Sequence, residues 1–220
     1  MIELLQTTYC ERIGSGPFGE PLNALSNLAF VIAAVYAARR VRTLPDPGYG
    51  IRLLPWLLFL VASGSMLYHT YRSPLTYLLD VLPLAAFLVF SVSLFLRKIR
   101  VNAARAVLAG AAFLGIQVAL LILVPNDFLN GSTPYLVAFV FFPPMLSLTS
   151  RRYHDLVWNL ALIAGLFTLA LVFRTVDLSL CPWLPMGTHF LWHLTAAAAA
   201  YYVVRLIASI ELIDHGSQGK

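Results

Sequence analysis

The chain has 220 residues, of which 60% are hydrophobic and 11% are charged, and its mean hydropathy is +0.79. A soluble domain carries about 25% charged and about 45–50% apolar residues, so this composition excludes an ordinary soluble domain. The formal net charge of +5 would suggest nucleic acid in a soluble protein. Here most basic residues flank apolar runs, where such charges orient membrane helices.

The apolar residues form seven long blocks separated by turn-forming residues. The blocks cover roughly Leu22–Ala38, Leu53–His69, Leu75–Phe95, Ala106–Val124, Pro134–Leu148, Leu156–Phe173 and Gly187–Ser209. A helix that crosses a bilayer needs about 20 apolar residues, so seven crossings use nearly the whole chain. We therefore expect an all-α bundle of seven transmembrane helices in a single domain, residues 1–220. The fifth block is the shortest, and its Pro143-Pro144 pair should kink the helix or end it early.

Basic residues are distributed unevenly between the two sides of this predicted bundle. Twelve of the fifteen Lys and Arg residues fall on one side, and only Arg12, Arg72 and Arg174 fall on the other. The positive-inside rule then places the C-terminus in the cytoplasm and the N-terminus outside. With that topology, the ionisable residues within or beside the blocks all lie near the extracytoplasmic end, and they are Glu20, His69, Asp80, His189 and His193.

The spacing of the histidines indicates a metal site. His189 and His193 are four residues apart, so they share one face of a helix and can hold one ion together. His69, from a different helix, would add a third nitrogen. Three nitrogen ligands leave the fourth tetrahedral position open, which is typical of catalytic zinc and would provide hydroxide at neutral pH. The alternative is that these histidines are hydrogen-bonded packing residues.

The two cysteines, Cys10 and Cys181, both fall in outer segments, which argues against sulfur coordination of the metal. Both segments should cover the same mouth of the bundle. Because an oxidising compartment favours pairing, we predict a disulfide that joins the N-terminal segment to the loop before the last helix.

Several spaced motifs together resemble the alkaline ceramidases, in the superfamily that also includes the adiponectin receptors. In chain order they are Tyr9-Cys10-Glu11, the segment from Glu20 to Asn27, Ser65-Met66-Leu67-Tyr68-His69, Asp80, the segment from Phe173 to Asp177 with Cys181, and His189-Phe190-Leu191-Trp192-His193. The resemblance implies that His69, His189 and His193 bind zinc. It also implies that Ser65 and Asp80 flank the bound water. Asp80 can then shuttle a proton, and Ser65 can donate a hydrogen bond to the oxyanion.

The resemblance also implies a calcium site near the N-terminus, formed by Glu11 and Glu20. Here the surrounding pattern departs from the family, with Thr8, Tyr9 and Ile13 at positions where the family has Asp, Trp and Asn. Calcium prefers six to eight oxygen ligands, so two carboxylates supply only part of the usual ligand set. The alternative is that the two glutamates form ion pairs with Arg12 or Arg174.

The function implied by the resemblance is a zinc-dependent intramembrane hydrolase that cleaves the amide bond of ceramide-like lipids to a sphingoid base and a fatty acid. Small residues such as Gly64, Gly110, Gly115 and Gly165 suggest an apolar cavity for a lipid chain. A receptor-like or lipid-binding protein, a hydrolase of another acyl lipid, and a transporter with an Asp/His proton relay are the alternatives. The expected partner is a membrane lipid, with no nucleic acid and no obligate protein partner indicated.

Overall fold

The computed structural model describes residues 9–14, 18–125 and 127–218, and these residues are almost entirely helical. The α-helices are α1 (Pro21–Ser26), α2 (Leu28–Arg42), α3 (Tyr49–Tyr71), α4 (Pro74–Lys98), α5 (Ala103–Leu123), α6 (Val137–Arg152), α7 (Val157–Leu180) and α8 (His189–Gln218). Short 3₁₀ helices cover Phe128–Gly131, Thr133–Leu136 and His154–Leu156.

Seven segments of the described chain are long and apolar enough to cross a membrane, which confirms the predicted helical class and the number of spans. They are Pro21–Arg42, Tyr49–Tyr71, Pro74–Lys98, Ala103–Leu123, Thr133–Arg151, His154–Leu180 and His189–His215. Each predicted block overlaps one of these segments, and most segments run several residues beyond the block. The extra residues are polar or basic ends, which a search for apolar runs leaves out.

The expected early end of the fifth helix is wrong. The helix α6 runs through Pro143 and Pro144 as far as Arg152. Each proline removes one backbone hydrogen bond from the helix. In lipid, however, a helix that ends early exposes many more unsatisfied backbone groups, so continuing past two missing bonds costs less.

Helix α8 lies at the centre of the bundle and contacts α1, α2, α3, α4 and α7. The most extensive pairings are α3 with α4 and α7 with α8. Large apolar side chains such as Trp56, Ile122 and Trp158 are exposed on the outside, as expected where lipid is the solvent.

A tight turn joins α3 to α4 and brings the candidate site residues His69 and Asp80 to one end of the bundle. Arg72 adopts the left-handed conformation (φ 47°) that ends α3. Ser73 then caps α4, because its side chain accepts from the Thr76 backbone N–H while the Thr76 hydroxyl accepts from the Ser73 N–H. His69 comes just before this turn, and Asp80 follows it by less than two helical turns.

Helices α3 and α4 approach each other closely at Gly64. A Cβ atom added there would lie 1.8 Å from the Leu79 carbonyl oxygen, so only glycine allows this contact. The contact brings the neighbouring residues Ser65 and Asp80 to the same level of the bundle.

Candidate metal centre and active site

Three histidines from two helices meet inside the bundle. His69 lies near the end of α3, and His189 and His193 occupy the first two turns of α8. All three side chains are at most 2% exposed, and one potential ligand atom of each lies within 4.8 Å of the others. In the part of the chain that the structure describes, no other group of three His, Cys, Asp or Glu residues is arranged to hold a metal.

Glu20 orients His69. Nδ1 of His69 lies 2.6 Å from Oε2 of Glu20, which precedes α1 and is fully buried. An ionised carboxylate only accepts hydrogen bonds, so the proton of His69 must be on Nδ1. That tautomer leaves a lone pair on Nε2, which is the arrangement by which a carboxylate prepares a histidine for a metal.

Ser26 orients His193 in a similar way. The Ser26 hydroxyl donates its hydrogen to the Asn23 carbonyl at 2.9 Å, and Nδ1 of His193 lies 2.7 Å from the same Oγ. Because the hydroxyl has one hydrogen and it is already used, Nδ1 of His193 must donate. Nε2 of His193 is then left with its lone pair.

Two nitrogens of this cluster are buried without any hydrogen-bond partner. They are Nε2 of His69 and Nδ1 of His189. A buried polar atom without a partner is costly, and a metal ion removes that cost by accepting the lone pair. Three imidazoles with a carboxylate behind one of them form a donor set that suits zinc. The residues present therefore fit a metal ion at this place.

Tyr9 covers the histidine cluster from the N-terminal side. Its ring stacks on His189 with centroids 3.7 Å apart, and it lies 5.3 Å from the His69 ring. The segment that carries Tyr9 is attached by a disulfide between Cys10 and Cys181, whose Cα atoms are 5.3 Å apart.

Asp177 of α7 holds the same segment and the start of α8 together. One carboxylate oxygen accepts from the backbone N–H groups of Thr188 and His189, and the other accepts from the N–H of Cys10. Asp177 is fully buried, and a side chain on Gly187 would collide with it. The first turn of α8, which carries His189, is thereby fixed relative to the N-terminal segment.

Ser65 and Asp80 face each other beside the cluster. Ser65 is buried one turn before His69, and its hydroxyl lies within hydrogen-bonding reach of the Asp80 carboxylate. Asp80 lines a cavity of about 140 Å³, which we call the Asp80 cavity and which Tyr9, Tyr68 and Tyr77 also line.

The two predicted calcium ligands are both occupied by protein groups. Glu11 accepts from the backbone N–H groups of Leu22 and Asn23 at 2.5 and 2.7 Å, and so caps α1. Burial raises the pKa of Glu11, and these two N–H groups act against that rise. Glu20 contacts His69 and forms ion pairs at 3.5 Å with Arg12 and Arg72. Of the alternative ion pairs, the structure shows the one between Glu20 and Arg12.

A second cavity, of about 90 Å³, runs beside α8 from Trp192 to Ile207 and has an almost entirely apolar lining. We call it the apolar cavity. The 15 residues between its ends correspond to about 22 Å along the helix. None of the four glycines that suggested an apolar cavity is among the residues that line this one. Gly64 and Gly110 are used in helix packing, and Gly115 and Gly165 have open space around them. The small residues of α8 that line the cavity are Ala196, Ala199 and Ala200.

Sequence reasoning missed three buried polar residues of this region. Asp177 was named only as part of a motif, whereas its carboxylate holds the N-terminal segment and the start of α8 together. Arg174 donates to the Tyr9 hydroxyl at 3.1 Å and lies over the Trp192 ring. Gln117 lines the Asp80 cavity and was passed over because it carries no charge. A search for every polar side chain within an apolar block would have found Gln117.

Fold and site together fit a multi-pass membrane protein that contains a buried three-histidine cluster. The model of the Ceramidase family matches residues 6–220, nearly the whole chain, and the chain belongs to that family. The family implies a hydrolase with a lipid substrate, and the resemblance found in the sequence is confirmed at this level. No curated protein matches the chain significantly.

Proposed function

We propose that this protein is a zinc-dependent intramembrane hydrolase that cleaves the amide bond of ceramide-like lipids and releases a sphingoid base and a fatty acid. The observation that carries the proposal is the cluster of three buried imidazoles, two of them with partnerless nitrogens, next to Ser65 and Asp80. In this proposal His69, His189 and His193 hold the zinc ion. The ion would polarise the substrate carbonyl and activate water.

Asp80 is proposed as the proton shuttle. As a carboxylate it takes the proton from the attacking water, and it later delivers that proton to the nitrogen of the leaving amine. An amine is a poor leaving group unless it is protonated, so amide cleavage needs this step. Asp80 is suited to it because it lines a cavity that can admit the substrate amide.

Ser65 is proposed to hydrogen-bond first to Asp80 and later to the substrate. In the resting state its hydroxyl hydrogen can bond to the Asp80 carboxylate. Once Asp80 carries a proton, the acid can donate to the Ser65 oxygen, and the Ser65 hydrogen is free to bond to the oxyanion on the substrate. The two residues would thus change roles together as the proton moves.

The two cavities support a lipid substrate. The apolar cavity can hold a hydrocarbon chain along α8, while the Asp80 cavity can hold the polar part of the molecule. Tyr135 lines both cavities, so they adjoin each other. With the orientation expected from the basic residues, the chemistry takes place near the extracytoplasmic face of the membrane.

Calcium is not part of this proposal. Calcium binds through oxygen ligands, and here the carboxylates of Glu11 and Glu20 already accept from backbone N–H groups, an imidazole and two guanidinium groups. In the described structure every carboxylate oxygen of the two glutamates therefore already has a protein partner.

The test is to purify the protein and measure its metal content together with its hydrolysis of labelled ceramide. We expect about one zinc per chain, hydrolysis that a chelator abolishes, and recovery on adding zinc. His193→Ala should lose both zinc and hydrolysis. The matched control is His154→Ala, which removes an exposed histidine far from the cluster and should change neither.

Two outcomes would reject the proposal. Full activity of the His193→Ala variant would show that the cluster does not carry the reaction. Stoichiometric zinc with no hydrolysis of ceramide would leave the receptor-like alternative. Cleavage of other acyl lipids but not of ceramide would instead correct the substrate.

A further inference from the structure

Gln117 is a buried polar residue in an otherwise apolar part of α5. It lies in α5, whose residues from Ala106 to Leu123 are otherwise uncharged and mostly apolar. Its side chain is only 7% exposed, and its Oε1 atom has no hydrogen-bond partner among the residues that the structure describes. Some buried polar side chains of the bundle do have such partners; the Thr149 hydroxyl, for example, donates to the Met145 carbonyl at 2.8 Å.

The partnerless group belongs to the Asp80 cavity. Gln117, Asp80 and Tyr68 all line this cavity. The hydroxyl of Tyr68 is likewise buried without a hydrogen-bond partner. A carboxamide oxygen can only accept, whereas a phenol can accept or donate. The wall beside Asp80 therefore presents two polar groups that the protein leaves unsatisfied.

The cavity can be reached from the lipid phase between α4 and α5. Three of its lining residues are also exposed on the outer surface of the bundle: Leu82 by 59%, Leu114 by 42% and Val118 by 42%. A molecule that enters sideways from the bilayer would thus pass these apolar side chains before it meets Gln117 and Asp80.

From these observations we propose that Gln117 recognises the polar head of the substrate, by accepting a hydrogen bond from a hydroxyl group of the base. This inference rests on the proposed function, which it makes more specific. The substrate class is an N-acyl lipid whose base carries a hydroxyl group close to the scissile amide, with Tyr68 as a second contact to the same head. Gln117 is a specificity residue in this scheme, and it takes no part in proton transfer.

The reason for the selectivity is the cost of leaving a buried acceptor unpaired. A substrate without the hydroxyl would displace water from the cavity and still leave Oε1 of Gln117 unsatisfied. The site would then discriminate against that substrate by about tenfold or more in kcat/KM.

The experiment compares a ceramide with a matched N-acyl lipid whose base lacks hydroxyl groups, in the zinc-loaded full-length protein. The unchanged protein should prefer the hydroxylated lipid by about tenfold or more, and Gln117→Met should reduce this ratio to within about twofold. Tyr68→Phe is a second variant, and it should also lower the ratio. The matched control, Ile122→Met, changes a residue of the same helix that is 73% exposed and should keep the full ratio.

A thermal unfolding curve separates recognition from a structural role. Because Oε1 of Gln117 accepts no hydrogen bond from the described residues, Gln117→Met should melt no lower than the unchanged protein. The inference is overturned if the variant fails to fold, if it slows both substrates equally, or if its preference stays the same. If the unchanged, zinc-loaded protein hydrolyses neither lipid, the proposed function itself fails and this inference fails with it.

Discussion

Glu20 and His69 are 49 residues apart in the chain, yet Nδ1 of His69 donates to Oε2 of Glu20 over 2.6 Å, and both side chains are buried. This contact joins the start of the first membrane segment to the end of the second. It also decides which nitrogen of His69 is available to a metal.

Replacing that carboxylate should weaken metal binding more than folding. In Glu20→Gln the carboxamide has no charge and can present either its oxygen or its NH₂ group to His69, so the Nδ1–H tautomer is no longer enforced. We expect zinc affinity to fall by about 10–100-fold, measured by competition with a chromophoric chelator. Glu211→Gln, which removes the partner of Lys98 at the opposite end of the bundle, is the control and should bind zinc normally.

The bond between Cys10 and Cys181 should stabilise the cover over the site. Without it, the segment that carries Tyr9 is held by noncovalent contacts, among them the hydrogen bond to Asp177 and the stacking of Tyr9 on His189. We expect reduction, or the double change to serine, to cost about 2–4 kcal/mol and to lower the melting temperature. The chain has only two cysteines, so the double-serine protein should not respond to reductant. Two free thiols found by mass spectrometry in native membranes would contradict the pairing.

Gly64 should be far less replaceable than Gly115, although both are helical glycines in apolar segments. Gly64→Ala would force α3 and α4 apart, because its Cβ would lie 1.8 Å from the Leu79 carbonyl oxygen. We expect a loss of about 1–3 kcal/mol and reduced hydrolysis, since Ser65 and Asp80 would separate. Gly115→Ala has nothing within 4 Å and should be neutral or slightly stabilising. Equal effects in thermal unfolding would show that this close contact is absent.

The depth of the apolar cavity should limit the length of the lipid chain. Ala200 lines this cavity about two helical turns below Trp192, so Ala200→Phe would fill its lower part. We expect hydrolysis of long-chain ceramides to fall relative to that of short-chain ones, measured with an acyl-length series. The control is Leu194→Phe, at a residue that is 43% exposed and lies outside the cavity lining. An unchanged length profile in Ala200→Phe would place the chain elsewhere.

The sequence by itself predicted that lipid surrounds this protein, that the fold is helical, and where the seven apolar spans lie. These properties depend on composition and on uninterrupted apolar runs, which are local and can be read along the chain. It also placed His189 and His193 on one face of α8, since four-residue spacing is a property of any helix. The family followed from several spaced motifs taken together.

Only the tertiary structure decided how the site is held together. Ser26 meets His193, and Asp177 meets Cys10, across 167 residues in each case. Among the described residues, Oε1 of Gln117 is buried without a hydrogen-bond partner, and no local pattern predicts that. The physical reason is that a helix sets the spacing of side chains along one axis, whereas the packing between helices decides which polar atoms find partners and which remain available to a metal or a substrate.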